Sequence, residues 1–370
     1  HLRIVPSNFR SGDRLICPEK REGEPINDAI YESRRKVEDA YHATLELCMY
    51  PGFGEVQDAI ARSVSAGSHD FDLSLNHDNA TGNGAMAANF VNLREYGDFD
   101  FEAPWWTRTA DSFTVAGKQY FASNYLTCSG ILMSLIICYN KDLAAQRGIV
   151  IPYDKITNNE WTIDDLITLT QDVYVDLNGD GKMTHADDLY GFATQWQGAV
   201  TMQVSLGCST LVKDEDGMLT FRPDEERLTA ISEKWTTLMN VGYLAEGENS
   251  AEGEYALNYF ADGKILFDYL EVRNVFESLR DTSFAMGFLP VPKLNTMQDH
   301  YITGSYDLYW AILQSSIDDT DKISRIEEAL ACNCYYDILP IVDRVGGGDS
   351  FAAGIIHGLL TKGNQAEALE

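Results

Sequence analysis

The sequence predicts an α/β fold in two lobes, on three observations. Strand-like and helix-like stretches alternate along the chain. Its 370 residues exceed the roughly 150 of a typical single domain, enough for two lobes that each bury a core. A composition that is 45% hydrophobic and 23% charged is ordinary for a globular protein.

Taken in order, Glu24–Tyr41 places Ile26, Ala29, Ile30, Val37 and Tyr41 near one face at a helical period. Glu46–Tyr50 reads as a short strand, and Val56–Ala66 as a helix stopped by Gly67. Phe71–Leu75 reads as a strand whose end opens into Asn76, His77, Asp78 and Asn79. Strand, helix and strand in succession imply a parallel sheet, and ligands of such sheets gather beyond the carboxyl ends of the strands. Val115–Ala122 reads as a hairpin around Gly117, and Ile131–Tyr139 as an apolar strand region from which Asn140 and Lys141 open a helix. Thr162 is the expected N-cap of a helix with Asp165 at its third position, a capping box with Asp in place of Glu.

Charge excludes some partners. Lys plus Arg number 28 and Asp plus Glu 57, a net charge of −29, so the chain should repel phosphate backbones and anionic lipid. Nucleic acid is therefore not an expected partner. No apolar run approaches the ~20 residues that span a bilayer, so direct membrane insertion is not expected. His1, Leu2 and Arg3 do not read as the start of a signal segment. The seven cysteines (17, 48, 128, 138, 208, 332 and 334) lack framework spacing and read as small buried side chains.

The sharpest local motif is Asp176–Asp187 (DLNGDGKMTHAD). A hard calcium ion wants six to eight oxygens, which Asp176, Asn178 and Asp180, the backbone carbonyl of Lys182 and the carboxylate of Asp187 would supply, with Gly181 at the sharp turn. Asp187 is shorter than the usual Glu at the last position, as in dockerin-type loops. The same residues also read as an acidic turn, since Asn-Gly and Asp-Gly are turn formers. The expectation is structural Ca2+.

Several short stretches together resemble a known family. They are Pro25–Tyr31 (PINDAIY), Phe71–Leu73, Pro104–Trp106 (PWW), Gly117–Ala122 (GKQYFA), Tyr139–Lys141, Trp161–Asp164, the Asp176 loop, Tyr190–Phe192, Phe260–Lys264 (FADGK) and Phe284–Lys293 (FAMGFLPVPK). Their order from about residue 9 to 335 resembles the sugar-type, family-1 extracellular solute-binding proteins of bacterial ABC transporters. The resemblance implies a periplasmic-binding-protein-like fold of type II: two α/β lobes joined by a hinge and closing over a ligand in a central cleft. Lobe 1 would comprise residues 1–125 and 304–335, and lobe 2 residues 129–299 with the calcium loop 176–187. It implies a carbohydrate ligand, an oligosaccharide above all, delivered to a permease by a monomeric, non-catalytic protein. It also implies an extracellular or cell-surface location, with lipid anchoring as one option.

Sugars offer hydroxyls to amides and carboxylates, and apolar CH faces to aromatic rings. By this resemblance Asn76, His77, Asp78 and Asn79 are candidate contacts, with a surface loop as the alternative for His77. Trp196, between Gln195 and Gln197, is the candidate stacking ring, with core packing as its alternative. Tyr269, Glu271 and Arg273 alternate on one face if their strand continues, although an ion pair explains the last two as well. Trp105 and Trp106 read as packing residues. Of Tyr306 and Trp310, near the return strand, one would face the cleft.

The tail breaks the pattern. Tyr336–Glu370 resembles the closing signature of ribokinase-like sugar kinases, the 2-keto-3-deoxygluconate kinases above all, with Gly346, Gly347 and Gly348 before Asp349. Under that alternative reading Asp349 is the catalytic base of an ATP-dependent sugar kinase or of a fragment or fusion of one. Only about 35 residues carry it, and the substrate half of a kinase is not found upstream. Without it Gly346–Gly348 simply join a strand to a helix.

Overall fold

The structure, a computed structural model, describes residues 1–6, 18–23, 25–106, 110–126, 129–184, 187–245, 256–305 and 308–341. Numbered in chain order, its strands are β1 Leu2–Pro6, β2 Leu45–Leu47, β3 Leu73–His77, β4 Leu135–Asn140, β5 Tyr190–Gln195, β6 Leu211–Lys213, β7 Leu219–Phe221, β8 Gly242–Ala245, β9 Ile265–Glu271, β10 Met286–Leu289 and β11 Leu308–Ile312. The described residues divide into two compact units. One is made of His1–Gly130, Lys213–Thr220 and residues 308–341, the other of Ile131–Val212 and Phe221–Ser305.

The first unit is built on a sheet of order β11-β3-β1-β2. β1 runs parallel to both β2 and β3, as strand–helix–strand succession requires, whereas β11 returns antiparallel against β3. Helix Phe53–Ala66 presents Val56, Ala59 and Ile60 to Val5 and Phe71 in one apolar cluster, and Gly67 ends it in the left-handed conformation at φ 63°. Helix Pro25–Tyr41 closes the sheet edge. The outward groups of Leu45 in β2 are taken by its side chains: Arg34 Nη2 donates to the Leu45 carbonyl at 2.6 Å, and the Leu45 N–H donates to Glu38 Oε1 at 2.9 Å. At Leu45 the edge is thereby shielded from pairing with another chain.

The second unit has a sheet of order β10-β4-β9-β5-β8. β5 is parallel to β8 and β9, and β4 is antiparallel to β9 and β10. β9 lies at the centre and is buried along its whole length. Gly287 in β10 faces Tyr139, where an ideal Cβ would lie 2.1 Å from the ring, so only glycine fits. Asn140 caps helix Lys141–Gln146 by accepting the Leu143 N–H at 2.9 Å, and the Asp165 carboxylate takes the Thr162 N–H at 3.0 Å in the expected capping box.

Four element expectations need correction. β2 stops at Leu47, after which Cys48 and Tyr50 donate single N–H bonds to the Ile4 and Pro6 carbonyls at 2.8 and 3.3 Å. β3 starts at Leu73 and extends through His77, because Asn76 and His77 pair with Tyr309 and Leu308. The hairpin around Gly117 is limited to Val115 and Lys118, since Ala122 instead exchanges backbone hydrogen bonds with Trp310 at 3.0 Å. β9 does not continue to Arg273: Glu271 N-caps a new helix, Val272–Glu277, with Asn274 completing a capping box. Cys138, Cys208 and Cys334 are buried, while Cys48 and Cys332 are half-buried. Among the described residues no helix is long and apolar enough to cross a membrane.

Candidate ligand-binding site

In the first unit the polar cluster sits at the carboxyl end of β3, on the strand-to-helix junction. Asn76 is 1% exposed and spends its amide on the backbone: Nδ2 donates to the Phe53 carbonyl at 3.1 Å, and Oδ1 accepts the His77 N–H at 2.9 Å. His77 is half-buried, its ring 5.7 Å from that of Phe53 and its Nδ1 against Asp78 Oδ1. Asp78 opens helix Asp78–Met86 and takes the Asn79 N–H at 2.6 Å. Asp78 and Asn79 are exposed. Asn76 therefore holds the junction together, and His77, Asp78 and Asn79 are presented by it.

At the same end a second polar construction joins loop to helix. Glu328, on helix Thr320–Asn333, receives the indole N–H of Trp105, that of Trp106 at 3.0 Å and the Asp100 N–H at 2.8 Å. Burial pushes its carboxyl above the ordinary range, against the opposing pull of those donors. Its neighbour Glu327 is fully buried, accepts from Asn124 Nδ2, and has a carboxyl raised well above the ordinary value by burial. Trp106 packs with Phe99, Phe101 and Trp310 at centroid distances of 5.9, 4.7 and 5.5 Å. Sequence reasoning passed over the two glutamates. The signal was there: Glu327 interrupts the apolar stripe of Ile323, Ile326 and Leu330, where a charge needs a partner.

In the second unit Trp196 begins helix Trp196–Ser205 directly after β5, and its side chain lies outside the described residues. Tyr269 is 2% exposed, with its hydroxyl 3.5 Å from Ser205 Oγ, and burial pushes it up to about 12. Glu271 and Arg273 form an ion pair at 2.5 Å, both side chains largely buried. The strand break at Glu271 takes Arg273 off the face it was expected to share with Tyr269. Tyr306 and Asp349 lie outside the described residues. Trp310 is buried in the first unit's aromatic cluster.

The acidic loop is a sequence of side-chain caps. Asp176 accepts the Gly179 and Gly181 N–H groups at 2.6 and 2.8 Å, Asn178 the Asp180 N–H at 2.9 Å, and Asp180 the Lys182 N–H at 2.8 Å. Val175 and Leu189 pair across its base, and buried Asp188 takes the Leu177 and Thr184 N–H groups at 2.9 and 2.7 Å. All the candidate donors are oxygens, the chemistry a hard cation requires. Among the described residues, however, no three acidic, His or Cys side chains are gathered closely enough to hold a metal.

No family model matches the chain, and no curated protein matches it significantly in sequence. Solved structures do match. The chain is similar to MalX from Streptococcus pneumoniae in complex with maltopentaose, with 14% identity over 100% of this chain and 86% of that one and a TM-score of 0.58. It is similar to the ABC substrate-binding protein Lmo0181 from Listeria monocytogenes in complex with cycloalternan, with 14% identity, 100% and 85% coverage and a TM-score of 0.56. It is also similar to an ABC transporter-associated binding protein from B. animalis subsp. lactis in complex with β-1,6-galactobiose, with 13% identity, 92% and 74% coverage and a TM-score of 0.57. The fold is thus that of the periplasmic-binding-protein-like substrate-binding proteins. The kinase resemblance of the tail finds no support in these matches and falls mostly on residues outside the description.

Proposed function

We propose that this chain is a carbohydrate-binding protein of an ABC transporter, acting outside the cytoplasm as a monomer and delivering an oligosaccharide to a permease. The likeness in fold to sugar-binding proteins along the whole chain carries this reading. The polar junction His77–Asn79 supports it, because amides and carboxylates on a rigid strand end suit sugar hydroxyls. Trp196, Tyr269, Glu271 and Arg273 are the second unit's candidate contacts. Binding accompanies no turnover; the ligand stabilises the native state by RT ln(1 + [L]/Kd).

The test is a thermal-shift screen followed by calorimetry with maltopentaose, cycloalternan and β-1,6-galactobiose, including ATP–magnesium wells. A saccharide-specific rise, weakened by Trp196→Ala and absent with ATP, is expected. No response to any saccharide, or a response to ATP alone, would overturn the reading. We further assign structural calcium to the Asp176–Asp187 loop, with Asp176, Asn178, Asp180, the Lys182 carbonyl and Asp187 as its oxygens.

A further inference from the structure

We propose that the outer edge of β2 at Leu47 and Met49 is a docking site for one extended, basic segment of a partner protein, which adds there as a further strand. The proposal goes beyond the carbohydrate-binding reading and does not depend on it.

Alternation along β2 decides which backbone groups are free. The Leu2 N–H donates to the Thr44 carbonyl and the Cys48 N–H to the Ile4 carbonyl, both at 2.8 Å, so Thr44, Glu46 and Cys48 turn their backbone groups towards β1. Tyr50 does the same towards Pro6, which carries the alternation past the end of the strand. Leu45, Leu47 and Met49 therefore turn their N–H and C=O groups outward. At Leu45 these groups are taken by Glu38 and Arg34. Leu47 and Met49 have no such partner among the described residues.

The free groups line a trough. A cavity of about 480 Å³ runs along this edge, with Leu47, Met49, Lys20, Glu22, Asn27 and Arg34 in its walls. Its far wall is preformed. Asn27 Nδ2 donates to the Lys20 carbonyl at 3.0 Å, and Asp28 Oδ1 accepts the Glu22 and Gly23 N–H groups at 2.9 and 3.3 Å, which fastens this segment to the first turn of helix Pro25–Tyr41. A volume within the ~300–1,000 Å³ of small-ligand sites takes a few residues of a single extended chain more readily than the flat edge of another sheet.

The same groups define the occupant. An outward N–H needs an acceptor and an outward C=O a donor, the pair that an extended peptide residue offers on one side. Charge then selects its side chains. Glu19, Glu22 and Glu46 line the trough and are exposed. Of the two cations there, Arg34 is committed to Leu45 and Glu38, and Lys20 lies 4.0 Å from Glu22. With a net charge of −29 on the whole chain, lysine and arginine side chains complement this rim.

The experiment is fluorescence anisotropy of the full chain with a dye-labelled, end-blocked Lys-Val-Lys-Val-Lys peptide and its Glu-Val-Glu-Val-Glu counterpart. The basic peptide should bind with a Kd below about 1 mM, and the acidic one about tenfold or more weaker. Leu47→Pro removes one outward donor and no bond to β1, a change that a strand edge accepts, and should weaken the basic peptide about 3- to 10-fold. Glu46→Lys should weaken it at low salt, with the difference fading at about 0.5 M salt. Amide exchange in the wild type, slowed at Leu47 by the basic peptide, reads the same contact should the proline variant misfold. No binding of the basic peptide, equal binding of both peptides, or unmoved exchange at Leu47 would overturn the proposal. So would a wild-type dimer that Leu47→Pro dissociates, which gives the edge to a second copy of this chain.

Discussion

Asp268 sits at the centre of β9, 1% exposed, with fully buried Cys138 and Ala193 as its cross-strand neighbours. Its Oδ2 has no hydrogen-bond partner, and burial pushes the carboxyl up to about 8, offset only in part by the Tyr269 N–H. The unfolded chain keeps a value near 3.8. Between these two values the folded state holds a proton that the unfolded state releases, so folding takes up a proton. The stability tied to this group is therefore complete below the unfolded value and is lost as pH rises towards the folded one. At about 1.4 kcal/mol per pH unit, roughly 3 kcal/mol disappears between about pH 5 and pH 7. Asp268→Asn cannot ionise and lacks this dependence. Urea unfolding of the wild type and variant at both pH values measures it, and other buried acids such as Glu327 cancel in the comparison. The variant should gain on the wild type by about 3 kcal/mol from the lower to the higher pH. Parallel losses in the two proteins would refute a neutral Asp268 in the folded state.

Gly287→Ala sets a methyl group against the Tyr139 ring, which its hydroxyl contact with Tyr153 at 2.6 Å holds in place, and should cost about 1–3 kcal/mol in urea unfolding. Arg34→Ala leaves the part-buried Leu45 carbonyl without its guanidinium donor and Glu38 with Arg35 alone, so a loss of roughly 1–3 kcal/mol is expected, with new self-association at the freed edge detectable by light scattering. Calcium should raise the melting temperature and EGTA reverse it, with Asp180→Ala abolishing both effects; indifference of the wild type to calcium and EGTA would return the loop to a simple acidic turn.

Much of the fold was legible because local chemistry and tertiary structure agree. The period of Pro25–Tyr41, the stop at Gly67, the Asn140 cap and the Thr162–Asp165 box each state a helix boundary in side-chain terms. The misread positions are those where a distant partner decides. Asn76 looks like a loop residue, yet it is strand because Tyr309 pairs with it and the Phe53 carbonyl satisfies its amide. Arg273 looks like the next position of a strand, yet Glu271 and Asn274 close a capping box that begins a helix. Period-2 alternation cannot show where a strand ends. The Trp105–Glu328 contact joins residues 223 positions apart, and no local pattern encodes such a pairing.

Those long-range ties also bear on the order in which the chain can acquire structure during synthesis. Among the described residues the second unit is drawn from one stretch of chain, Ile131–Ser305, with Lys213–Thr220 going to the first unit. The first unit is not: β11 completes its sheet beside β3, and Glu327 and Glu328 reach back to Asn124, Trp105 and Trp106. Its opening 130 residues leave the ribosome with β3 lacking its outer partner and three polar anchors unpaired. At about 5–20 residues per second, they wait on the order of ten seconds for the segment that completes them. The later-made unit can thus close first, while the earlier one remains open to whatever receives a nascent chain.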